Sequence, residues 1–196
     1  MKKAEATKLK ILQTGFELIY RNGFQNTSIN DVTTSAGITK GAFYYYFKTK
    51  DEMGLSIINQ LITPTFMDTF RSYLQPDVDP TESIYKLINY LLMKNKGMDP
   101  QHGCPVSNLI QEMSPWHARF SGALAVLTQE WLKAIAHAIE TGKSSGLIRA
   151  EVDPMQVALF VISGYWGIRN FGKSASTHNV YLPYLRELRS YLYLLR

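Results

Sequence analysis

Three side chains four residues apart set the first question: Lys40, Tyr44 and Lys48, a cation, a phenol and a second cation. On a helix, spacing of i, i+4 and i+8 brings such groups onto one face. A face of two ammonium groups and a hydroxyl suits contact with phosphate oxygens, as when a helix lies in a major groove. Gly41, between them, lets the backbone come close to a bulky partner. Thr27, Ser28 and Thr39 stand where helices are expected to begin, and there hydroxyls and free N–H groups can both donate to phosphate. Taken singly, each tyrosine of the Tyr44-Tyr45-Tyr46 run reads equally well as packing, and Tyr46 reads better that way.

The charge distribution agrees with that chemistry. Residues 1–50 carry eight Lys or Arg against three acids, and the remainder carries thirteen of each, so the whole net charge of +5 lies in the first quarter. A basic segment ahead of a neutral one is expected of a polyanion-binding head with a different task behind it. Other chemistries find less support. No glycine-rich phosphate loop, metal-spaced histidine cluster or nucleophile–base pair occurs, and the four His are scattered, so no enzyme, cofactor or metal site is expected. Cys104 is the single cysteine. In Gly103-Cys104-Pro105 it sits beside a helix start, where a thiol can be activated, and His102 is close in sequence. A sensor thiol and a buried, inert one both remain open there. Zinc at His102, Cys104 and His117 would lack a fourth ligand. The first fifteen residues hold no apolar segment and no stretch is long enough to span a bilayer, so a reducing cytoplasm and no membrane are expected.

The elements that must hold these residues follow from 3.6-residue periodicity, which recurs along nearly the whole chain. Leu12, Gly15, Phe16 and Ile19 form one stripe of a first helix ending near Asn22-Gly23. Ser28 and Asp31 make a capping box for a short second helix with Ile29, Val32 and Ala36 inward. Gly37 stops it, and Thr39 caps a third helix, Lys40 to Phe47, whose inner face is Phe43 and Phe47. A fourth starts near Asp51 and reaches toward Leu74. Asp79-Pro80 and Asp153-Pro154 repeat one start signal, an acid cap followed by proline, for helices over 80–95 and 154–173. A shorter helix follows Pro105, a long one covers about 117–141 up to Gly142 and Gly146, and a last one begins near Leu182. The expected class is all-α with about nine helices. A helix-turn-helix domain over residues 1–50 precedes a helical domain over 51–196.

From Thr27-Ser28-Ile29 through Ala36-Gly37-Ile38-Thr39-Lys40-Gly41-Ala42-Phe43-Tyr44-Tyr45-Tyr46-Phe47-Lys48-Thr49-Lys50-Asp51, the chain resembles the N-terminal signature of TetR-family regulators, over roughly residues 8–54. Core, turn and outward positions are kept in one register. Two positions depart from it: Gly15 stands where the family usually has alanine, and Tyr46 where histidine is common. The glycine should weaken the first helix by roughly 1 kcal/mol. The resemblance implies a homodimer, double-stranded operator DNA of palindromic sequence as partner, and release by an unknown small-molecule effector. It makes Thr27, Ser28, Lys40, Gly41, Tyr44, Tyr45 and Lys50 the expected DNA contacts. Repression itself rests on the resemblance. An architectural DNA binder without effector is the alternative, and the large aromatic second domain speaks against it.

In that second domain Val157, Phe160, Val161, Gly164, Ile168 and Phe171 form one apolar stripe, and Tyr184, Leu188, Tyr191 and Leu195 another. Such stripes are commonly core. They are also the expected dimer interface, a four-helix packing of the last two helices with the same pair of a second copy. Met93, Trp116, Phe120, Trp131, Tyr165 and Trp166 are bulky residues of the middle helices and form the candidate effector pocket, although each alone reads as core.

Overall fold

The computed structural model describes residues 3–196; Met1 and Lys2 of the basic N-terminal segment lie outside it. Among the described residues the regular structure is entirely helical: α1 (Lys3–Asn22), α2 (Ile29–Ala36), α3 (Lys40–Tyr46), α4 (Lys50–Ile57), α5 (Thr63–Tyr73), α6 (Pro80–Asn89), α7 (Pro105–Met113), α8 (Ala118–Ser144), α9 (Pro154–Ala175) and α10 (Tyr181–Tyr193). A π-helical turn, Ile58–Ile62, joins α4 to α5. That makes a single rod over residues 50–73, much as expected for the fourth helix, and leaves nine rods in all among the described residues. A second π turn, Tyr90–Lys94, prolongs α6, and a short 3₁₀ turn, Pro100–His102, precedes α7. No helix among the described residues is long and apolar enough to cross a membrane.

Local chemistry sets most of the boundaries. The Ser28 hydroxyl accepts from the Asp31 N–H, and the Asp31 carboxylate accepts from the Ser28 N–H and hydroxyl, so the box closes reciprocally. Those bonds, the hydroxyl's first, hold the Asp31 carboxyl below its ordinary value. Gly37 takes φ 63°, ψ 41°, a left-handed exit open to glycine at little cost. Thr39 accepts from Ala42 N–H at the start of α3. Asp79 and Asp153 each accept from two N–H groups in the first turn of α6 and α9. The long α8 runs through Gly142 to Ser144, further than its glycines suggest.

The chain divides into two compact units that interleave in sequence: residues 1–65 with 105–126, and residues 66–104 with 127–196. The boundary expected at residue 50 falls inside the first unit, where Thr49 caps α4. In that unit α1 packs on α2 and α4 around the buried Ile11, Leu12, Ile19, Val32, Phe43 and Phe47. Gly15 explains itself here. A Cβ at that position would lie 3.1 Å from both Ile57 Cδ1 and Met53 Sδ, so the glycine lets α4 close on an unbroken α1. In the second unit α10 packs on α6 and α9, and Trp131 is buried at the centre of an aromatic cluster.

Candidate nucleic-acid interface

The outward face of α3 is built by the side chains beneath it. Phe43 and Phe47 are buried with ring centroids 5.8 Å apart, and they fix the rotation of a helix only seven residues long. Lys40, Gly41, Tyr44 and Lys48 are thereby left exposed. Tyr44 is 52% and Tyr45 80% exposed, large values for aromatic side chains on a helix with a packed underside. Tyr46 is half-buried and packs edge-on against Tyr45, 4.9 Å between centroids. Ser28 and Thr39 are exposed at the starts of α2 and α3.

Two expected DNA contacts are placed otherwise. Thr27 is only 1% exposed, and its hydroxyl donates to the Gly23 carbonyl at 2.8 Å, so it closes the loop between α1 and α2. Lys50 turns inward. Its Nζ donates to the carbonyls of Phe24, at 2.9 Å, and Gln25, at 3.4 Å, and lies 4.5 Å from the Phe24 ring centre. Both residues serve the frame of the helix-turn-helix rather than its outer face.

The six expected pocket residues divide between the two units. Trp116 and Phe120 belong to the first unit. There Trp116 is exposed, its indole N–H donating to the Glu112 carbonyl at 2.8 Å, and Phe120 packs against Phe24 and His117. The other four share the second unit. Trp131 stacks on Phe70 at 5.3 Å and tilts against Phe66 at 4.8 Å and Trp166 at 6.2 Å. The indole N–H groups of Trp131 and Trp166 are buried without a protein acceptor. The Tyr165 hydroxyl donates to Met98 Sδ at 3.8 Å, and Met93 sits half-buried on the π turn. Arg169 is a further polar group that sequence reasoning missed: it is fully buried, donates to the Gly103 carbonyl and lies over the Tyr181 ring. A signal for it exists in the sequence, since Val157, Val161, Tyr165 and Arg169 continue one i+4 row on α9. Cys104, immediately before α7, is 1% exposed.

The two stripes of α9 and α10 are partly spent within the chain. Val157, Val161 and Leu188 are buried and leave no side-chain surface for a partner. Gly164 faces Tyr184 of its own chain: a Cβ there would lie 2.5 Å from the Tyr184 hydroxyl. Burial without a hydrogen-bond partner pushes that phenol up to about 12. Ile168 and Tyr191 are half-buried. The side chains left outside include Phe160, its ring 4.3 Å from Tyr191, with Met155, Leu159, Phe171, Leu182, Tyr193 and Leu194.

Comparison with known proteins bears on the same segments. Residues 11–57 match the bacterial regulatory proteins of the tetR family, and residues 80–171 match a tetracyclin repressor-like C-terminal domain. The uncharacterized HTH-type transcriptional regulator in the lacX 3' region of Lactococcus lactis subsp. lactis is 32% identical over 130 residues, 66% of each chain. The HTH-type transcriptional repressor DhaR of Mycobacterium sp. (strain GP1) is 26% identical over 157 residues, covering 80% of this chain and 77% of that one. The crystal structure of a TetR-family transcriptional regulator from Cytophaga hutchinsonii superposes with a TM-score of 0.89 at 17% identity, covering 100% of this chain and 98% of the other. A capped helix-turn-helix with a basic, tyrosine-bearing α3, followed by a helical second part, is thus matched along most of its length, and the chain belongs to the TetR family of bacterial regulatory proteins.

Proposed function

We infer that the chain is a DNA-binding transcriptional regulator, a repressor that leaves a palindromic operator when a small molecule binds. The observation that carries this reading is the exposed α3 face. Lys40, Tyr44, Tyr45 and Lys48 stand outward above a buried Phe43–Phe47 floor, with the hydroxyls of Ser28 and Thr39 exposed at the capped starts of α2 and α3. Residues 1–50 read the DNA; residues 51–196 supply the effector site and the self-association surface. The effector site lies in the second unit at Trp131 and Trp166, whose indole N–H groups are buried without a protein acceptor, and draws on Tyr165 and Met93 of the same unit. Self-association uses the exposed part of α9 and α10, centred on Phe160, since two symmetric half-sites need two heads.

Selection of duplexes from a randomised pool by the purified protein tests the reading. Recovered sequences should share an inverted repeat protected over both half-sites, and a reporter placed behind that sequence should fall when the protein is expressed. Recovery of sequences without symmetry, or a reporter that rises, would overturn operator type or repression respectively.

A further inference from the structure

The loop between α1 and α2 is held by a residue far along the chain. Glu112, near the end of α7, turns its carboxylate onto two successive backbone donors: Oε2 accepts from the Phe24 N–H at 2.9 Å and Oε1 from the Gln25 N–H at 2.7 Å. Lys50 grips the same two residues through their carbonyls. Gly23 makes the fit possible, for a Cβ on its positive-φ backbone would lie 3.2 Å from Glu112 Oε1. The Phe24 ring is buried against Phe120, 4.9 Å between centroids, and the Glu112 carbonyl is itself tied to the Trp116 indole. Next to this clamp His117 Nε2 lies 3.2 Å from Asp51 Oδ2. All of these groups belong to one compact unit.

We propose that Glu112 is a positioning residue for operator binding: it fixes the Phe24–Gln25 backbone and, through Thr27 and the Ser28 cap, the pose of α2 and α3 on the DNA. The proposal rests on the DNA-binding reading of the α3 face. The loop leads directly into the Ser28 cap, so any freedom at residues 24 and 25 becomes freedom of α2 and α3. Contact geometry degrades with displacements of about 0.5 Å. A carboxylate suits the task because it offers two acceptor oxygens and no donor; the amide of a glutamine offers one oxygen and would set an NH₂ against the second N–H.

The sign of the effect separates positioning from plain electrostatics. Removing an acid from a DNA-binding unit strengthens binding if charge alone counts. Positioning predicts the reverse. Glu112→Gln in the full chain, with a duplex selected by the wild-type protein as probe, should weaken binding by roughly five- to ten-fold. The slope of log affinity against log salt should stay as in wild type, since every cation that meets a phosphate is retained. In spectra of the ¹⁵N-labelled protein the amide protons of Phe24 and Gln25 should shift upfield, while those of α10 stay in place. Glu112→Asp, a carboxylate too short to reach, should behave like Gln rather than rescue. Four results each overturn the proposal: tighter or unchanged binding by Glu112→Gln, a changed salt slope, unmoved amides at 24 and 25, or a variant that loses its native spectrum throughout, which would make Glu112 a residue of general folding. A wild-type protein that selects no duplex would instead refute the DNA-binding reading itself.

Discussion

Two faces of the molecule expose aromatic rings, and they differ in the groups that surround them. On α3, Tyr44 and Tyr45 stand among Lys40, Lys48 and the capping hydroxyls Ser28 and Thr39. On α9 and α10, Phe160 at 54% exposure stands with Leu159, Phe171, Leu182 and Leu194, all without polar groups at their tips. Exposed apolar area is unfavourable in either place. The first face compensates with hydroxyls and cations that water solvates and phosphate can replace. The second has less such compensation, Tyr193 being its one exposed hydroxyl-bearing ring, and gains by being covered with another apolar surface. Exposure alone therefore says little about a partner; the polarity around the rings selects between a polyanion and a second copy.

The sharpest way to break that contrast is to make the second face resemble the first. Phe160→Glu leaves the isolated protomer intact, because the position is exposed, but puts two uncompensated charges into a symmetric interface. Self-association should weaken by about 100-fold or more, roughly 3 kcal/mol, with operator affinity falling alongside. Sedimentation velocity at low micromolar concentration should show monomers, and a persistent dimer would move the interface off α9 and α10. Gly164→Glu, attractive from spacing alone, is a poorer probe because Gly164 faces Tyr184 inside its own chain.

On the α3 face, Lys40→Ala combined with Lys48→Ala should lower the salt slope by about two units per half-site, roughly four for a dimer on the whole operator, about one for each ammonium removed from a phosphate. Affinity measured at several salt concentrations gives the slope, and a slope equal to wild type would mean neither ammonium meets a phosphate.

Tyr184 supplies a test of the packed side of α10. Its phenol titrates near 12 in the folded chain because burial disfavours the phenolate, against about 10 when unfolded. Below pH 10 both states hold the proton and stability is unaffected. From pH 10 toward 12 the unfolded phenol ionises first, so stability declines, by up to about 2–3 kcal/mol. Tyr181 and Tyr191 are raised too, chiefly by burial, and add to the same alkaline slope. Denaturant unfolding between pH 9 and 12 should show a shallower decline for Tyr184→Phe than for wild type. Equal slopes would place the alkaline sensitivity elsewhere.

The smallest expected effect is Tyr44→Phe, which removes one hydroxyl donor and should cost about 1 kcal/mol of operator affinity with unchanged thermal stability. Full affinity would make Tyr44 a spacer on that face.

Legibility in the sequence tracks distance along the chain. The Ser28–Asp31 box, the Gly37 exit, the Thr39 cap and both acid–proline starts are made by residues within four of one another, and each stands where the residue types put it. The spacing of Lys40, Tyr44 and Lys48 likewise marks the correct exposed face, because Phe43 and Phe47 lie on the other. Spacing could not supply the distant partner of a side chain. Lys50 bends to Phe24, and Glu112 reaches back 88 positions to the same residue. Trp116 and Trp131 look alike in sequence, yet one is exposed and the other has 0% exposure. A helical stripe states that a side chain faces something, and only the folded chain states what.

The π turn at Tyr90–Lys94 carries a historical reading. Such a turn holds one residue more than α geometry needs, and here it is the last turn of its helix, closed by the Asn95 N–H donating to the Tyr90 carbonyl. A helix that absorbs a one-residue insertion as a bulge takes this geometry. An alignment of relatives should therefore show a one-residue gap between positions 90 and 94, and chains carrying the gap should have a plain α-helix there, with the counterpart of Met93 turned to a different neighbour. Deleting one residue of this turn would recreate such a chain, a change milder than a deletion inside any of the regular helices.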